Sequence, residues 1–223
     1  MKRLVINGLT AKGEMTSTEY KSKYGNAMYS LNVNGEVLIK DSVFGMNGYN
    51  CIEISLSESV EPVSKVTIEN CDFSGVLSNN AILIFATKDN TIITVRNCHF
   101  ASLSNVIRLS NRTGAKNVVL NIEDCVIDKW ANDPKYAGFL IMEDYKSKNM
   151  DAFNELNPFG PDKITVNVKN MRYAGNKICP DQVDAYLNCN NPKQLAYVYI
   201  DNVGSDYRYP EYDPAIFPVF NFK

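Results

Sequence analysis

Glu123, Asp124 and Asp128, together with Arg96, come nearest of this chain's side chains to the types and spacing of a reactive centre. Clustered carboxylates could hold a calcium ion, and a nearby guanidinium could assist cleavage of a sugar acid. Hydrolysis of a glycoside would instead need two carboxyls about 5–10 Å apart across a cleft. His99 is the only histidine, so neither a histidine-pair metal site nor a relay needing a second imidazole can be built. Six cysteines occur, at 51, 71, 98, 125, 179 and 189, with no C-x-x-C pair. They read as reduced thiols rather than a disulfide framework, and Cys179 and Cys189 would pair only under oxidation. There is no glycine-rich phosphate loop and no nucleophile elbow. The expectation is therefore no catalytic, cofactor-binding or metal-ligating residue.

The setting of these residues is periodic. VLIKDSVF (37–44), VTIENCDF (66–73), ITVRNCHF (93–100), LNIEDCVI (120–127), VNVKNMRY (166–173) and VYIDNVGS (198–205) align on an Asn or Asp. The anchors Asp41, Asn70, Asn97, Asp124, Asn170 and Asn202 are 29, 27, 27, 46 and 32 residues apart. A weaker copy occupies 4–11, with Gly8 in the anchor place and Leu4, Ile6 and Leu9 in apolar places. In a strand that alternates and then turns, the positions four and two before the anchor, and one and three after it, face one way. Twenty-two of those twenty-four residues are apolar or aromatic, against the half or fewer that a 45% hydrophobic composition would give. The pattern calls for short β-strands whose equivalent residues stack at roughly 4.8 Å from one repeat to the next. Apolar runs at 52–56, 81–86, 106–109, 138–142, 185–187 and 218–222 supply further strands of each repeat.

Two columns support this register. The residues before the anchors are Lys40, Glu69, Arg96, Glu123, Lys169 and Asp201, alternating in sign as adjacent outward side chains should. The anchors are Asn or Asp, which tolerate left-handed backbone and so mark a sharp turn. The corner and the charge column account for Glu123, Asp124 and Arg96. By the same stacking His99 lies beside Asp72 as a surface ion pair, and Cys71, Cys98 and Cys125 form an inward column of small, soft side chains.

The VxIxNCxF phrase at this period resembles the right-handed parallel β-helix family, the pectin-lyase-like group of polysaccharide lyases, polygalacturonases and bacteriophage tailspike, adhesin and capsid-associated proteins. The resemblance implies an all-β, single-stranded right-handed solenoid of about seven coils forming one domain over residues 1–223. It specifies a fold and no activity. The NTD, DD and GHG motifs that resemblance to a polygalacturonase would imply are missing from this sequence.

Three segments interrupt the repeat. Residues 143–163 form an insertion, with a short helix expected near 148–157, started by Asn149 and ended by Pro158. Residues 11–26 form a polar loop. Residues 205–223 form a tail in which Pro210, Pro214 and Pro218 break regular structure while aromatics carry apolar area. That tail is expected to cap the solenoid or dock on a partner. Candidate partner-contact residues are Tyr145, Met150, Phe153 and Phe159 in the insertion and Tyr207, Tyr209, Tyr212, Phe217 and Phe220 in the tail.

Charge and segment types narrow the function. Twenty-three basic and twenty-five acidic side chains leave a net −2, which attracts neither nucleic acid nor an anionic membrane. The opening MKRLVINGLTAKGE lacks the apolar stretch of about 7–15 residues of a secretory signal, and no run approaches the roughly 18 that a spanning helix needs. The Asn111-Arg112-Thr113 triplet reads as chance. Strand character begins at Leu4 with no preceding lid, and an open solenoid end must be covered. These features, with the resemblance, lead to the expectation of a non-enzymatic structural protein of a virion: a bacteriophage capsid auxiliary or decoration protein, or a fibre or tail component. Its partners would be other capsid or tail proteins, with a homo-oligomer and a bound glycan both left open, and its site of synthesis the host cytoplasm. A carbohydrate-binding or polysaccharide-degrading β-helix protein is the alternative, and an intracellular scaffold the third class.

Overall fold

The computed structural model of the chain describes residues 3–12, 29–32, 35–45, 50–56, 64–73, 80–85, 87–101, 105–111, 114–128, 138–144, 160–173, 176–177, 196–200 and 219–222. Within them the chain is all β, with parallel strands stacked into three sheets. The first sheet contains β1 (Arg3–Asn7), β4 (Glu36–Lys40), β7 (Lys65–Glu69), β10 (Ile92–Arg96), β13 (Val118–Glu123), β16 (Ile164–Lys169) and β20 (Val219–Phe222) in that spatial order. The second holds β2 (Thr10–Lys12), β5 (Val43–Gly45), β8 (Asp72–Phe73), β11 (His99–Phe100), β14 (Val126–Ile127), β17 (Arg172–Tyr173) and β18 (Asn176–Lys177). The third holds β3 (Tyr29–Asn32), β6 (Asn50–Ser55), β9 (Asn80–Phe85), β12 (Asn105–Ser110), β15 (Gly138–Asp144) and β19 (Ala196–Ile200). From β1 to β17 the chain visits the sheets in rotation, so each of the first five repeats lays one strand on each. Among the described residues only β18 pairs antiparallel, turning back on β17.

Alternation in the first sheet creates its two faces. In β4, β7 and β10 the residues four and two before the anchor are closed to solvent and those between are not. Val37, Val66, Ile93, Leu120 and Val166 form one buried column, and Ile39, Ile68, Val95, Ile122 and Val168 a second. In the second sheet Phe44, Phe73 and Phe100 stack, with ring centroids 5.1 and 5.0 Å apart and planes within 15° and 9°. Full burial of each ring is worth about 1.5–3 kcal/mol, and offset stacking adds about 0.5–1.5 kcal/mol per pair. Ile52, Ile82 and Ile107 complete the same core from the third sheet. Leu83 and Arg108, which alternate with these core positions, are also buried, at 4% and 7% exposure.

Every described anchor has left-handed backbone: Gly8 at φ 69°, Asp41 at 50°, Asn70 at 54°, Asn97 at 49°, Asp124 at 52° and Asn170 at 48°. Left-handed backbone costs an ordinary L-residue roughly 1–2 kcal/mol, which is why the column holds only Gly, Asn and Asp. The turn keeps its hydrogen bond. From Gly8 to Asp124 each anchor N–H donates to the next repeat's carbonyl just before its own anchor, as in Asn70 to Arg96 at 3.1 Å and Asn97 to Glu123 at 3.0 Å.

The sixth aligned copy requires correction. Residues 196–200 belong to the third sheet, where Val198 pairs with Met142, and the seventh strand of the first sheet is Val219–Phe222. Period-2 alternation fixes which face of a strand turns inward but not which of three similar sheets receives it. The charge column therefore ends at Lys169 in the described residues, without Asp201. The expected start of the insertion at 143 also moves, because β15 runs to Asp144. The helix expected near 148–157, the apolar run at 185–187 and most of the loop at 11–26 lie outside the described residues.

Candidate functional site

Each outward-facing group that might do chemistry is set by a position within the repeat. The residue before the anchor points outward, and the register runs Asn7, Lys40, Glu69, Arg96, Glu123, Lys169 across the first sheet. Arg96 clamps Glu69, its Nε donating at 2.7 Å with a second contact from Nη2. In the anchor column, Asn70 donates its side-chain amide to Asp41 at 3.0 Å and Asn170 to Asp124 at 2.8 Å. The Asn70 amide, and behind it the Lys40 ammonium 3.5 Å away, hold the Asp41 carboxyl below its usual value. Arg96 and Asp124 thus have structural partners.

Asp128 is explained by a contact that stacking alone did not reveal. His99 lies beside Asp72 in register, with Nδ1 3.6 Å from its carboxylate, and its Nε2 is 2.7 Å from Asp128 in the following repeat. The imidazole spans three repeats on the outer face of the second sheet. The structure thus separates the carboxylates that came nearest to a reactive centre in the sequence: Asp124 serves the corner and Glu123 lies in the charge column, as expected, while Asp128 serves His99. Among the described residues no group of three or more His, Cys, Asp or Glu side chains is arranged as a metal site.

The residue after the anchor points inward and reads Ser42, Cys71, Cys98, Cys125, Met171, all buried. Ser42 donates its hydroxyl to the Lys40 carbonyl at 2.7 Å, and the three thiols repeat that bond to Glu69, Arg96 and Glu123 at 3.2, 3.3 and 3.3 Å. The neighbouring Cys125 thiol first, and burial as well, push Cys98 up to about 12. Cys71 is pushed up by its contact with Cys98 and then by burial, and burial alone pushes Cys51 up to about 12. At neutral pH these are protonated, poor nucleophiles.

Two polar columns went unread in the sequence. A second corner lies ahead of the first sheet, where Asn90 and Asn117 have φ 62° and 58° and the Asn117 amide donates to Asn90 at 3.2 Å. Its signal was available, since Asn90 and Asn117 share the 27-residue period. On the outer face of the first sheet, Asn221 donates to Asn167 at 2.9 Å, Asn167 to Asn121 at 2.8 Å and Asn121 to the Thr94 hydroxyl at 3.4 Å. That ladder was hidden because its last member lies in β20, beyond the regular spacing.

Asn111 is fully buried, its Nδ2 donating to the Ala115 carbonyl at 3.0 Å and its Oδ1 receiving the Thr87 hydroxyl at 2.6 Å. The atom that a glycan would occupy is thus committed inside the folded protein. Of the nine partner-contact candidates, only Phe220 falls among the described residues, in β20 opposite Val166. Tyr145, Met150, Phe153, Phe159, Tyr207, Tyr209, Tyr212 and Phe217 lie outside them. No protein-family model, curated protein or solved structure matches the chain.

Proposed function

We propose that the chain is a right-handed, single-stranded parallel β-helix of about seven coils that works as a non-enzymatic structural protein of a virion. The role would be that of a bacteriophage capsid auxiliary or decoration protein, or a fibre or tail component. The observation that carries the building-block reading is the state of the first repeat. Leu4, Ile6 and Leu9 are only partly buried, whereas their equivalents Val37, Ile39 and Ser42 are closed to solvent, and Val5 is 47% exposed. Among the described residues β1 pairs only with β4, and an edge strand of this kind can take up a strand from another protein. The engagement of Arg96, Glu69, His99 and Asp128 in bonds between repeats favours structure over catalysis. The phage setting comes from the resemblance of the repeated phrase.

Mass spectrometry of purified virions should find the protein, and a photo-crosslinking residue at Val5 should join it to another virion protein. Absence from the particle removes the virion setting, and a Val5 probe that captures nothing in the particle removes the docking role of β1. The second reading, a carbohydrate-binding or polysaccharide-degrading β-helix protein, is favoured by the half-buried amide ladder that ends at exposed Asn221. It predicts glycan binding, or release of reducing sugar or unsaturated uronide, that weakens in Asn121→Ala and Asn167→Ala.

A further inference from the structure

Cys71, Cys98 and Cys125 occupy the same inward position in three successive repeats and are 2%, 2% and 0% exposed. Their adjacency follows from the strands on either side. His99 N–H donates to the Cys71 carbonyl at 3.0 Å, Val126 N–H to that of Cys98 at 2.9 Å, and Arg172 N–H to that of Cys125 at 2.9 Å. The last bond also sets buried Met171 next to Cys125, so three thiols and a thioether follow one another along the core. Each thiol lies against two carbonyls, the one two residues earlier in its own repeat at 3.2, 3.3 and 3.3 Å and one in the preceding repeat, that of Ile39, Ile68 or Val95, at 3.8, 3.6 and 3.6 Å. Cys98 is therefore the middle member of the column, with Cys71 in the repeat before it and Cys125 in the repeat after it.

Rung spacing and metal chemistry coincide here. Parallel strands lie about 4.8 Å apart, and two metal–sulfur bonds in line, each near the roughly 2.3 Å of a zinc–thiolate bond, span nearly the same distance. A collinear row cannot bring three sulfurs to one ion, so the geometry suits two-coordinate ions. We propose that this sulfur column is a binding site for a thiophilic monovalent cation of the Cu(I) or Ag(I) type, held linearly between Cys98 and an adjacent cysteine. Soft thiol and thioether donors select such ions over Zn(II), Ca(II) or Mg(II). The core also dictates the proton balance. A bare anion buried there would be strongly disfavoured, so one thiol gives up its proton to solvent while its neighbour stays protonated. The bound unit is then thiolate–metal–thiol, with no net charge and no change in oxidation state.

Ser42 shows that a hydroxyl fits this column and keeps the carbonyl bond, which makes serine the natural test substitution. The full chain, carrying C179S and C189S throughout, is titrated anaerobically with Cu(I) supplied as its acetonitrile complex. Uptake, proton release and thermal midpoint are followed, with X-ray absorption to count sulfur neighbours. The parent should bind an ion with two sulfur neighbours, release one proton per ion and melt at a higher temperature, as a ligand of the native state requires. C98S should lose that uptake and the rise in midpoint, while C51S keeps both. If C98S does not fold, C71S and C125S each retain one cysteine pair and should bind, whereas the C71S/C125S double variant should not. Equal uptake by the parent and C98S, or by C71S and the double variant, overturns the proposal. So does a Cu(I)-induced fall in the parent's midpoint, which would mean that only the unfolded chain presents its thiols.

Discussion

Asn97 condenses the local physics of this protein. It sits at φ 49°, where Asn is tolerated and Gly unstrained, while Ala meets a steric cost of about 1–2 kcal/mol. Asn97→Gly should therefore leave the denaturation midpoint nearly unchanged, and Asn97→Ala should lower stability by about 1 kcal/mol. Equal losses in both variants would shift the weight from backbone conformation to the side chain. Asp41 gives a pH test at the same column. Its folded carboxyl lies below the ordinary 3.8, first because of the Asn70 amide. The stabilisation is thus fully present above that value and disappears as pH falls through the lower folded value. A carboxyl-carbon NMR titration should show the Asp41 midpoint rise in Asn70→Ala, and an unmoved midpoint would remove Asn70 as the cause.

At the scale of elements, stability comes from columns that cross repeats. Phe73 lies between Phe44 and Phe100, stacked on both, so Phe73→Ala removes two ring contacts and leaves a cavity in a close-packed core. A loss of about 3–5 kcal/mol is expected in chemical denaturation, and a loss below about 1 kcal/mol would show that the rings do not share a packed core. The strands of this column were legible in the sequence because Phe44, Phe73 and Phe100 recur at a fixed offset from Asp41, Asn70 and Asn97. β19 was not legible in the same way. Its alternation matches the first sheet as well as the third, and an Asn at 202 imitated an anchor. Pairing with β15 decided the matter. His99 likewise showed one partner through stacking, Asp72, and hid the other, since Asp128 lies in the repeat on its opposite side and past the end of β14.

For the molecule as a whole, buried thiols make stability depend on alkaline pH. Cys51 and Cys98 have folded values raised from 9.0 to about 12, so their contribution is complete below 9.0 and fades as pH rises toward 12. Denaturation midpoints should fall across that window. The fall should be smaller in Cys98→Ser, and an identical pH profile in that variant would detach the effect from this column. What the sequence by itself determined was the repeat and its inward and outward faces. Each strand and corner is dictated by local chemistry: β-branched alternation for the strand, Asn, Asp or Gly where the backbone turns left-handed. Only the tertiary structure decided which sheet receives the last two strands, which carboxylate meets His99, and how the outer amides join into a ladder. Those choices depend on pairing between residues distant in the chain, and no local preference distinguishes among three sheets built from the same kind of strand.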